Sequence, residues 1–157
     1  QKNPNVKFLV KTKYRGIWLD RIRNAFAHYI EGSLLPENLV VVAEEGDAID
    51  EILRSQVVIG LNSMTMLQAR LARRPVITPN YFEIREKYAD TVQFGGVQQE
   101  FLVANSEKEL ELITERCLQA PHFNFPQEGI FDQFIGPTDG ENLQRFQNAL
   151  SALQHAN

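Results

Sequence analysis

Short apolar runs alternate with stretches of helical spacing along almost the whole chain. A chain written this way buries its apolar residues most simply by covering a parallel sheet with helices. The clearest example is VVIGLNSMTMLQARLARRPVITPNY, Val57 to Tyr81. It holds a strand-like run (VVIGL), a polar cluster, a helical pattern over Met64–Arg73 and a second strand-like run, PVITP.

The same rhythm precedes it. VKFLVKTK (Val6–Lys13) is β-branched and aromatic and runs into a turn at YRG. Trp18, Ile22, Ala25, Phe26, Tyr29 and Ile30 then share one helical face that ends near Gly32. NLVVVAEE (Asn38–Glu45) predicts a strand covered on both sides, and DAIDEILRS (Asp47–Ser55) a helix with an acidic N-cap. Downstream, Tyr81–Ala89 allows a helix and TVQFGGVQQE carries a Gly-Gly loop signal. EFLVAN (Glu100–Asn105) predicts a strand, and SEKE (Ser106–Glu109) a capping box ahead of the Leu110, Ile113, Cys117 stripe. Pro121–Gly140 predicts an irregular crossing segment, and Glu141–Gln154 a closing helix through Leu143, Phe146, Ala149, Leu150 and Leu153. The expected fold is therefore α/β, a Rossmann-like parallel sheet with helices on both faces, in one domain over residues 1–157.

Composition narrows the functional classes. The 157 residues, 43% hydrophobic and 23% charged, suit one folded domain. A net charge of −4 argues against a broad nucleic-acid footprint while leaving room for local anion recognition. Cys117 is the only cysteine, which excludes an intrachain disulfide and a zinc cysteine cluster and points to a reducing, cytoplasmic setting. No run approaches the roughly 20 apolar residues of a membrane span. The chain opens on Gln1 and a strand pattern follows at once, so a longer parent chain is expected.

Ligands of open parallel sheets bind beyond the carboxyl ends of the strands. That places Gly60, Asn62, Ser63 and Thr65 at a helix N-terminus whose dipole favours a phosphate. A plain helix cap at Ser63 or Asn62 explains the same pattern. Lys11, Lys13 and Arg15 end the first strand, where they could meet the same anion or line a solvated turn. In FIGPTDGENLQRF, Asp139 reads as a cap or a site residue and Arg145 as a surface charge or a second anion contact. His28, His122 and His155 show neither metal nor triad spacing, and neither GxGxxG nor GxxxxGK[ST] is present.

DAIDEILRSQVVIGLNSMTMLQARLARRPVITPNY resembles the carboxyl-terminal, nucleotide-sugar-binding domain of GT-B glycosyltransferases, especially those of bacterial surface and capsule polysaccharide synthesis. FLVKTKYRG and FIGPTDGENLQRF resemble the strand-end and closing segments of the same enzymes, in the same order. The resemblance implies one half of a GT-B fold. Ser63, Thr65 and Lys13 would hold the donor diphosphate, and the position of Gln68 would hold ribose or base. It implies a nucleotide-sugar as donor substrate without other cofactor or metal, and a glycan acceptor. A second Rossmann-like domain upstream would bring the acceptor site and any catalytic base, and membrane association would come through parts outside this sequence. Gln68 stands where the family has a ribose-binding Glu, and an amide has one acceptor oxygen where a carboxylate has two. Arg73-Arg74 replaces the usual Gly-Arg or Gly-Lys before Pro75. A nucleotide-sugar 2-epimerase and a non-catalytic nucleotide-binding module fit the same pattern.

Overall fold

The PVITP run becomes a strand, β4 (Val76–Pro79), buried at every position, as expected of a strand covered on both faces. The computed structural model describes residues 3–11, 17–29, 36–42, 47–61, 63–88, 101–120, 137 and 139–154. They divide into two compact units, Gln1–Asp47 and Ala48–Asn157.

In the first unit, β1 (Phe8–Lys11) pairs in parallel with β2 (Leu39–Val42), with Phe8 opposite Leu39 and Lys11 opposite Val42. Helix α1 (Ile17–Tyr29) lies between them in sequence. Asn38 fastens the entry to this pair, its Nδ2 donating to the carbonyls of Asn3 and Val6 at 3.1 and 2.8 Å.

The second unit holds β3 (Val58–Ile59), β4 and β5 (Leu102–Ala104), all parallel in the order β3-β4-β5. Helices α2 (Ala48–Arg54), α3 (Met64–Leu71), α4 (Phe82–Tyr88) and α5 (Glu107–Gln119) alternate with them, and α6 (Asn142–Gln154) closes the chain. Alternation sorts the side chains. Val58 and its register partner Val76 pack with Phe101, with Ile52 of α2 and with Met66, Leu67 and Ala69 of α3. The opposite face carries Ile77 and Ala104, both fully buried; α5 packs on β4 and β5 and adds buried Cys117 to this second layer. The architecture is thus α/β, parallel strands flanked by helices in a Rossmann-like arrangement.

Elements fall where the periodicity places them, with strands trimmed at their ends. Tyr81–Ala89 resolves in favour of helix α4. The Gly-Gly segment and nearly all of Pro121–Gly140 lie outside the described residues.

Candidate functional site

The junction of β3 and α3 is built around a close approach. The Gly60 N–H donates to the Ile77 carbonyl at 3.0 Å, so the ladder runs past β3 before the chain turns. A Cβ on Gly60 would lie 3.0 Å from Cγ of Met66. Glycine here lets the first turn of α3 come down on the strand end.

Ser63 has extended backbone, φ −154° and ψ 142°, and is the N-cap of α3. Its Oγ accepts from the Thr65 N–H at 3.2 Å and donates to Thr65 Oγ1 at 3.0 Å. The plain capping role of Ser63 is therefore present in the structure. Thr65 is half-buried, and Gln68, three residues on and exposed, lies on the same side of the helix. The first turn of α3 contains no carboxylate, so its positive end is left uncompensated by its own residues. The contrast is α5, whose first turn carries Glu107 and Glu109.

The remaining sequence candidates separate. Lys11 is exposed at the end of β1 in the first unit, while Gly60, Ser63, Thr65 and Gln68 are gathered in the second. Lys13, Arg15 and Asn62 lie outside the described residues. Asp139 and Arg145 are joined to each other: Arg145 Nη1 donates to Asp139 Oδ1 at 2.9 Å, and Nη2 pairs with Oδ2. Asp139 Oδ1 also accepts from the Glu141 N–H at 3.0 Å, an Asx turn just ahead of α6 rather than a cap on its first turn. These bonds hold the Asp139 carboxyl down at about 2, the Arg145 hydrogen bond contributing most.

Arg73 and Arg74 belong to the end of α3. Arg73 sits in the left-handed region, φ 57°, at the position after the C-cap Ala72. Its N–H donates to the Arg70 carbonyl at 3.0 Å, and the Arg74 N–H to Ala69 at 2.9 Å, a Schellman motif. The Arg74 Nη2 donates to the Leu53 carbonyl at 2.6 Å, so it satisfies the last turn of α2.

One group of residues escaped the sequence reading. Beyond the carboxyl ends of β4 and β5, a cleft of about 420 Å³ is lined by Tyr81, Phe82 and Arg85 on one side and Asn105, Ser106, Glu107 and Lys108 on the other. The Ser106 cap accepts from the Glu109 N–H at 3.1 Å. Glu109 Oε2 in turn accepts from the Asn105 N–H at 2.7 Å, one residue earlier than a reciprocal capping box requires. Asn80 Nδ2 donates to Asn105 Oδ1 at 3.3 Å, and the Asn80 N–H to the Ala104 carbonyl at 2.7 Å. The wall is tied on both sides. Burial, and secondarily the Glu107 charge, pushes the Tyr81 hydroxyl up. The available signal was the aromatic pair placed directly after an apolar strand.

No helix among the described residues is long and apolar enough to cross a membrane. Comparison with family models, with curated proteins and with solved structures returns no match.

Proposed function

We propose that the chain is the donor-binding part of a GT-B-type glycosyltransferase that uses a nucleotide-activated sugar in surface polysaccharide synthesis. The observation that carries this reading is the start of α3: a hydroxyl pair, Ser63 and Thr65, on a helix end with no carboxylate in its first turn, at the carboxyl edge of a parallel sheet. Capping by Ser63 does not consume the site, because the first N–H groups of a helix have no acceptor within it and one side chain satisfies only part of them.

Transfer of a glycosyl group leaves negative charge on the departing nucleoside diphosphate. The positive end of α3 would stabilise that charge as it develops. Gln68, one turn along the helix face, would reach the ribose with one acceptor oxygen and one amide donor. The acceptor and any base would come from an upstream domain.

Calorimetry with UDP, GDP, CDP and CMP tests the reading. Binding of one of them, weakened by Ser63→Ala and by Thr65→Ala, is expected; heats indistinguishable from dilution for all four would sink it. A nucleotide-binding module without turnover is a second reading, favoured by the amide of Gln68 standing where the resemblance expects a ribose-binding carboxylate. Under the transferase reading Gln68→Glu raises nucleotide affinity; an unchanged affinity turns the choice to the module.

A further inference from the structure

The cleft between α4 and α5 is separate from the α3 start, and three features of it point the same way. Phe82 adopts φ 49°, a left-handed conformation that a bulky residue rarely takes, while the residue is 69% exposed and lines the cleft. The ring meets Tyr81 edge-on, centroids 5.3 Å apart at 81°, so the pair forms a braced aromatic wall. The lining carries two cations, Arg85 and Lys108, against one carboxylate, Glu107, an excess of positive charge on a chain whose net charge is −4. Among the described residues neither cation forms an ion pair.

Strain and exposure of an aromatic ring are both unfavourable for folding, and the edge contact with Tyr81 offsets only part of that cost. A ligand would offset more. We propose that this cleft binds a small ring-shaped anion, its apolar ring face against Phe82 and its carboxylate or phosphate held by Arg85 and Lys108. Arginine suits the anionic group through its paired N–H fork, and a cleft of this volume falls within the range of small-molecule sites. An acidic sugar and a nucleoside monophosphate share this chemistry. The proposal does not depend on the diphosphate site at α3.

Amide chemical shifts of the intact chain, titrated with glucuronate, with UMP and with glucose, test it. Saturable shifts at Phe82, Arg85 and Ser106–Lys108 with glucuronate identify an acidic-sugar site, and the same shifts with UMP alone a nucleotide site. Either supports the proposal. Glucose binding as tightly as glucuronate, or shifts with UMP confined to Ser63–Gln68 and none with glucuronate, overturns it. Arg85→Gln is expected to weaken binding by roughly tenfold, as for a lost hydrogen bond to a charged group. Phe82→Gly separates function from folding, because glycine relieves the left-handed backbone and removes the ring. Weaker binding together with a higher midpoint of thermal unfolding is expected; a destabilised variant that still binds as the parent does would show the ring to be structural.

Discussion

Gly60 and Met66 are in van der Waals register: a Cβ on the glycine would lie 3.0 Å from Met66 Cγ and 3.3 Å from its Sδ. Met66 is 2% exposed, so its side chain has little room to withdraw. Gly60→Ala is expected to destabilise the fold by about 1–3 kcal/mol, the range for overpacking a filled core. In a Met66→Ala background most of that cost should vanish. Urea unfolding of the two single variants and the double variant checks this; additive effects would mean that the contact does not control how closely α3 approaches the strand.

Arg73 at φ 57° occupies a position that glycine fills without strain. Its side chain is exposed, so nothing in the packing offsets the backbone cost. Arg73→Gly is expected to stabilise the protein by up to about 1 kcal/mol, and Arg73→Ala to give no such gain. Thermal unfolding of the pair decides it: equal effects of Gly and Ala would place the contribution in the arginine side chain.

The α/β fold was legible because its signals are local. A strand buried on both faces writes a continuous apolar run, as at Val76–Pro79, and a helix writes a stripe, as at Leu110, Ile113 and Cys117. That Gly60, Ser63 and Thr65 fall together at the junction of β3 and α3 was legible for the same reason, since the two elements are consecutive. Arg74 was not: its acceptor at Leu53 is 21 residues away, a pairing no periodicity records. Asp139 and Arg145 were read as possible ligand contacts because spacing alone does not reveal that two exposed charges satisfy each other. The cleft was missed because its walls, Tyr81–Arg85 and Asn105–Lys108, meet only once β4 and β5 are paired.

Thr78 Oγ1 is buried in β4 without a hydrogen-bond partner among the described residues. A hydroxyl in that state loses its hydration and gains nothing in exchange, whereas valine has nearly the same shape and favours strands. Thr78→Val is therefore expected to stabilise the second unit by about 1 kcal/mol. Chemical denaturation with an unchanged slope and a higher midpoint is the supporting result; a loss of stability would show that the hydroxyl has a partner in solution.

Asp139 and Arg145 make a pH-dependent clasp at the start of α6. The Arg145 hydrogen bonds, with the Glu141 N–H, hold the Asp139 carboxyl at about 2, below its ordinary value. A carboxylate whose pKa is depressed on folding stabilises the fold above its unfolded pKa, and that contribution is lost as pH falls toward the folded value. The clasp is therefore complete at pH 7 and weakens from about pH 4 down to about pH 2. Carboxyl carbon titration by NMR should find Asp139 with a midpoint near 2, and Arg145→Gln should return it toward the ordinary range of about 3.9. The Arg145→Gln variant should also lose amide protection in the first turn of α6 at neutral pH, where the parent retains it. A parent midpoint already near 4 would mean that the pair is not formed in solution, and α6 would then start without it.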